Sequence, residues 1–138
     1  MQLKLHHVNY STNDVAATAH FYRSLFNLKP VPGRNEQRDP NHGYSNKVEF
    51  LTDGTTEFHI AEQDLGVAFR TKQSLNPVER GHIAFRVDDI EAFKAILREK
   101  NIPFADYGRW AMGGWYQIFL QAPDGTIVEV HQADDNNE

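Results

Sequence analysis

One short unit occurs twice in this chain, and its repetition constrains the fold more than any single motif does. The first copy reads His7-Val-Asn-Tyr-Ser-Thr-Asn-Asp14-Val15 and the second His82-Ile-Ala-Phe-Arg-Val-Asp-Asp89-Ile90. In each, a histidine opens an alternating run, an aspartate follows seven positions later, and an aliphatic residue starts an amphipathic segment. Alternation marks a half-buried strand, and recurrence at three and four residues marks a helix. Each copy is therefore predicted as strand, cap and helix, with its histidine on the strand.

Residues 3–11 alternate so that Leu3, Leu5, His7, Asn9 and Ser11 share one face, with Lys4, His6, Val8 and Tyr10 on the other. Asn13 or Asp14 caps a helix in which Val15, Ala19, Tyr22 and Phe26 recur at helical spacing. Pro30, Pro32 and Gly33 end it, and a weak strand leads into 34–43, rich in Asn, Asp, Arg and Pro and expected as an exposed loop. Strands at 47–51 and 55–61 join through Asp53-Gly54. The second copy continues with a helix at 89–100 and strands at 104–110, 115–121 and 126–132, with turns at Gly113-Gly114 and Pro123-Asp124-Gly125. Each half reads strand, helix, strand, strand, strand. The predicted layout is one domain: module 1 at about 3–62, a linker at 63–80, module 2 at about 81–132 and an acidic, frayed tail at 133–138.

At 138 residues the chain fits a single ordinary domain, and 40% hydrophobic with 24% charged residues is a globular balance. A net charge of -5 argues against nucleic acid or an acidic membrane as partner. No apolar stretch is long enough to span a bilayer and the start lacks a signal-peptide core, so a cytoplasmic location is expected. With no cysteine, a metal site has only His, Asp and Glu to draw on.

The βαβββ repeat, the equivalent His7 and His82, and the ending Pro123-Asp-Gly-Thr-Ile-Val-Glu129-Val-His together resemble the vicinal oxygen chelate superfamily, over residues 3–132. That superfamily includes glyoxalase I, fosfomycin-modifying thiol transferases, methylmalonyl-CoA epimerase and extradiol dioxygenases. The resemblance implies an α+β fold whose two βαβββ modules curl a mixed sheet into a cup. It also implies a divalent metal held by His7, His59, His82 and Glu129, one from each of four strands. Parity agrees, because Val8, Phe58, Ile60, Ile83, Val128 and Val130 flank these residues and need a core on the opposite face. Glu57 shares the parity of His59, so either reaches the metal on this ground, with His59 preferred.

Imidazole and carboxylate ligands suit Zn, Ni or Co best, and Fe or Mn as well. Such an ion would stabilise an enediolate or alkoxide while Glu129, by the resemblance, serves as base. The resemblance thus implies a lyase or isomerase of the glyoxalase type acting on a small oxygen-rich substrate. One alternative is an Fe(II) extradiol dioxygenase using His7, His82 and Glu129 alone; another is a metal-free binding protein related to bleomycin-resistance proteins. Trp110, Met112, Trp115 and Gln117 flank or follow the double glycine as expected substrate contacts, with Phe119 on the same face and Arg109 at the cup's mouth to meet an anion. His131 is expected at the rim or supporting a ligand, and His6, His20 and His42 as surface or helix residues. Relatives commonly pair, so a homodimer is expected.

Overall fold

The computed structural model describes residues 1–134. Its first strand, β1 (Leu3–Thr12), leads into α1 (Val15–Phe26), a two-residue β2 (Lys29–Pro30), β3 (Val48–Thr52) and β4 (Glu57–Glu62). A short helix, α2 (Val67–Thr71), separates this half from β5 (Gly81–Val87), α3 (Ile90–Glu99), β6 (Ala105–Arg109), β7 (Trp115–Gln121) and β8 (Ile127–Ala133). The eight strands form one mixed sheet in the order β2-β3-β4-β1-β5-β8-β7-β6. Its centre is symmetric in kind: β1 and β5 pair antiparallel, β1 pairs parallel with β4, and β5 pairs parallel with β8.

The repeated aspartates have one job in both halves. Asp14 Oδ1 accepts from the Ala17 amide and Asp89 Oδ1 from the Ala92 amide, each at 3.0 Å, capping α1 and α3. Each helix buries its apolar stripe on one side of the sheet. Val15 and Ala19 pack with Leu51 and Ile60, while Ile90 and Leu97 pack with Ile118 and Val130. Alternate strand residues therefore face the other, concave side. Gly81, just before His82, has φ +125°, and a Cβ there would stand 2.0 Å from the Asn9 carbonyl oxygen. Only glycine lets β5 approach β1 at this point.

Three sequence expectations are corrected. The 63–80 stretch is not a bare linker, since it forms α2 and buries Val67 and Val78 against the second half. The loop expected to be exposed buries Arg34. It also reaches across the cup to the double-glycine turn, where the Asp39 amide donates to the Ala111 carbonyl (2.7 Å) and the Gly113 amide to the Gln37 carbonyl (2.8 Å). The alternation of β1 breaks, because a bulge between Leu5 and His7 inserts one surplus residue. Leu3 and Leu5 thereby lie opposite Val87 and Phe85 on the outer side, and both His6 and His7 turn into the cup. Of the tail expected to fray, Ala133 ends β8, and residues 135–138 lie outside the described residues.

Candidate metal centre

The four central strands β4, β1, β5 and β8 each bring one residue of the expected set to the concave face: His59, His7, His82 and Glu129. All four are buried. Ala84 lies opposite both His7 and Glu129 in the ladders, and its small side chain leaves room for those two to meet over it. His7 Nε2 is 3.7 Å and His82 Nε2 3.1 Å from the same oxygen, Glu129 Oε1.

Proton positions follow from the hydrogen-bond network. His82 Nδ1 is 2.6 Å from the Pro77 carbonyl, which can only accept, so Nδ1 carries a proton and Nε2 is the nitrogen turned towards Glu129. Two acceptors at 3.1 Å repel unless a proton or a cation lies between them, so the donor set fits a metal ion. His6 leads to a similar result at His7. With its proton on Nε2, towards Glu57 Oε2 at 3.4 Å, His6 Nδ1 accepts from His7 Nδ1–H at 2.8 Å and leaves His7 Nε2 as a lone-pair donor.

His131 plays a different part. Arg86 Nε–H donates to its Nε2 (3.0 Å), so its Nδ1 carries the proton and donates to Glu129 Oε2 (2.6 Å). His7, Glu129 and His131 offer ligand atoms within 4.8 Å of one another, a group that could hold a metal ion. Within it, the proton on His131 makes that residue the support of Glu129 and not itself an open donor. Fully buried and stacked 4.3 Å from Trp115, it is not at the rim.

Glu57 is engaged elsewhere. Arg34 binds it with two hydrogen bonds, Nε to Oε1 (3.0 Å) and Nη2 to Oε2 (2.6 Å), and His59 Nε2 lies 2.9 Å from Oε1. The His59 ring stacks on His7 at 3.8 Å. Burial opposes ionisation of Glu57, but the bonds from His59 and Arg34 outweigh it and hold its carboxyl down to about 2. Burial also works against the charge of Glu129, and the hydrogen bond from His131 Nδ1–H helps to keep its carboxyl well below the usual carboxylate range. The same burial lowers His7, His59 and His131, and pushes His6 down to about 2, so these rings are neutral at pH 7.

A cavity of about 50 Å³ opens over this cluster, and Trp110, Met112, Trp115 and Gln117 all line it. Phe119 is buried beside them with its ring against His82. Arg109, expected at the mouth, stays on the other side of the sheet edge, donating to the Tyr116 hydroxyl at 2.9 Å with Asp134 at 3.7 Å. Its cross-strand partner is Tyr116, whose parity is opposite to that of Trp115 and Gln117. His20 is exposed on α1, and His42 is exposed against Asp39 at 2.6 Å.

Sequence reasoning missed His6, Arg34, Arg38 and Arg86. For His6 a signal was present: the apolar positions switch parity between Leu5 and Val8, and a switch of that kind marks a bulge. For Arg86 one was present too, since Arg86 shares the parity of His82 on one strand, whereas Arg34 and Arg38 reach the cup from a loop and left none.

Residues 4–130 match a family model described as the Glyoxalase/Bleomycin resistance protein/Dioxygenase superfamily. The comparison with curated proteins gives no match. Among solved structures, the fold is similar to hypothetical protein BH1468 from Bacillus halodurans C-125, at 20% identity and a TM-score of 0.72, covering 100% of this chain and 99% of that one. It is also similar to a methylmalonyl-CoA epimerase in complex with methylmalonyl-CoA and NH4+, at 21% identity and TM-score 0.67, covering 98% and 97%. The methylmalonyl-CoA epimerase from Mycobacterium tuberculosis follows at 15% identity and TM-score 0.69, covering 96% and 89%.

Proposed function

The chain belongs to the glyoxalase/bleomycin resistance protein/dioxygenase superfamily, and from that premise we propose that it is a divalent-metal-dependent enzyme of the lyase or isomerase type, acting on a small oxygen-rich substrate. The observation that carries the proposal is the convergence of two imidazole nitrogens, His7 Nε2 and His82 Nε2, upon one carboxylate oxygen of Glu129. His7, His82 and Glu129 would hold the ion, with His59 beside them, and Zn, Ni or Co suits this donor set. A bound ion would supply Lewis-acid stabilisation of negative charge developing on the substrate.

The chain's own residues do the rest. Glu129 is the candidate base as well as a ligand: the bond from His131 Nδ1 keeps Oε2 occupied and the carboxylate oriented, so Oε1 would serve either the ion or the proton, one at a time. Glu57 is unsuited to that role because Arg34 neutralises it through both oxygens. Trp110, Met112, Trp115 and Gln117 contact the substrate, and the apolar ones keep water from the reacting carbon. Proton transfer at a single carbon is the isomerase chemistry for which the epimerases among the similar folds are named, and this supports the isomerase reading.

Elemental analysis of wild type and of His7→Ala, His82→Ala and Glu129→Ala tests the assignment. About one metal per chain in wild type, and a loss in each variant with the circular dichroism unchanged, is the expected result. Full occupancy in all three variants would sink it, and no metal uptake by wild type under any loading would leave a ligand-binding cup.

A second reading has one observation in its favour. With His59 Nε2 turned to Glu57, the remaining set is two histidines and one carboxylate, the arrangement of non-haem Fe(II) oxygenases. Oxygen uptake with catechols by the iron-loaded protein, and none with other metals, would favour that reading over the isomerase. A homodimer is part of the proposal, and sedimentation equilibrium at twice the chain mass is the expected outcome.

A further inference from the structure

Arg38 carries a charge that no carboxylate of the described residues meets. It lines the cavity, half-buried, and among the described residues it has no carboxylate partner, whereas Arg23, Arg34, Arg70 and Arg109 face Glu49, Glu57, Asp64 and Asp134. Its Nη2 donates to the Asn46 carbonyl at 2.8 Å, and its guanidinium lies 5.9 Å from the Tyr44 ring centroid. Position is fixed from behind as well: Arg38 forms a backbone bridge with Met112, and the next amide, of Asp39, bonds Ala111. The buried carboxylates nearby do not call for this charge, since Glu57 already has Arg34 and Glu129 is ringed by histidines.

Gln117 is the second observation. Its side chain is 3% exposed and lines the same cavity, yet its Oε1 has no hydrogen-bond partner among the described residues. A buried amide oxygen left unpaired costs about 1–3 kcal/mol. Its place in β7, opposite His131 and next to Phe119, sets that amide close to the Glu129 cluster. The same cavity is lined by the apolar side chains of Val48, Val78 and Met112 and by the rings of Tyr44 and Phe50.

We infer that the cup takes a small carboxylate with a flat apolar body, its carboxylate on Arg38 and a hydrogen-bonding group on Gln117. The inference rests on the reading of the cup as a substrate site and does not require the metal. A guanidinium with free N–H groups pairs a carboxylate through two parallel bonds, and being weakly hydrated it sheds little water to do so. The apolar walls reject a sugar or a polyol and accept an aryl or branched aliphatic chain.

Benzoate and its uncharged isostere benzamide are the probes, titrated calorimetrically into the zinc-loaded protein and into the same protein after chelator treatment. Benzoate is expected to bind roughly tenfold or more tightly than benzamide, the range of a hydrogen bond to a charged group. Arg38→Gln should bring benzoate down to the benzamide level while metal content stays that of wild type. Arg38→Lys, which keeps the charge and loses the fork, should fall between the two. Gln117→Leu should leave benzoate unchanged, since benzoate carries no donor for the Gln117 oxygen, and should weaken 4-hydroxybenzoate, whose hydroxyl does. Equal affinity of the two probes for wild type, or no detectable binding of either, overturns the inference whether or not the variants fold. Benzoate binding unchanged in a folded Arg38→Gln overturns it too. Benzoate selectivity that survives in a protein found to bind no metal would uphold Arg38 as the anchor and dismiss the metal reading alone.

Discussion

His131 shows how a residue outside a ligand set governs it. Its proton on Nδ1 holds one oxygen of Glu129, and Arg86 fixes which ring nitrogen carries that proton. Substitution of such a supporting group typically weakens metal binding by about 10–100-fold. His131→Ala should therefore lose affinity on that scale in a chelator competition and still reach full stoichiometry at excess metal, whereas His20→Ala, exposed on α1, should match wild type. An affinity for His131→Ala equal to wild type would remove it from the site. The neutral histidines make a second prediction. His6, His7, His59 and His131 are all lowered from the ordinary 6.5 by burial, so the folded state resists protons that the unfolded chain takes up below pH 6.5. Their contribution is fully present above that pH and is lost as pH falls towards the folded values. The melting temperature of metal-free protein should thus begin to drop between about pH 6.5 and 5, before carboxylates titrate. A melting temperature that stays level until about pH 4.5 would contradict the neutral cluster. The facing of His7, His82 and Glu129 was legible in the sequence because an apolar strand neighbour fixes it: Val8, Ile83, and Val128 with Val130. His6 was hidden by one surplus residue, and Arg34 by a loop whose path depends on distant contacts.

At the scale of elements, the sequence carried most of what formed. Periodicity and caps located α1, α3 and the longer strands within a residue or two, because these elements are decided locally by period and by Asp14 and Asp89. Asp14→Ala and Asp89→Ala should each cost about 1 kcal/mol in urea denaturation. The two caps belong to separate helices with no shared partner, so the double variant should add to within about 0.5 kcal/mol. Gly81→Ala should cost more than either cap, since its Cβ would meet backbone and not a flexible side-chain end. A Gly81→Ala variant as stable as wild type would mean that β1 and β5 can part there without loss. The loop spanning 31–47 was the poorest reading. Its composition is polar, yet its amides and carbonyls are satisfied across the cup by residues 110–113, some seventy positions away in sequence. Local composition carries no trace of such partners.

At the scale of the whole molecule, two similar halves meet at β1 and β5, and the roof of the cup is also shared between them: Arg38 and Tyr44 come from the first, Trp110 and Met112 from the second. Ligand at such a junction ties the halves together, so zinc should raise the melting temperature in a concentration-dependent way, as expected for binding to the folded state alone. The first strand has a further property that bears on how its length can vary. Its residues before His6 keep one count of inside and outside, those after it keep another, and a single extra position reconciles the two. Length changes ahead of that position alter little besides the pairing of Leu3 and Leu5 with Val87 and Phe85. A change of one residue between His7 and Asp14 has no slack to draw on, because the histidine is fixed to the cup and the aspartate to the helix. Along ten residues of one strand, tolerance to insertion and deletion therefore falls abruptly at a point that no contact list would single out.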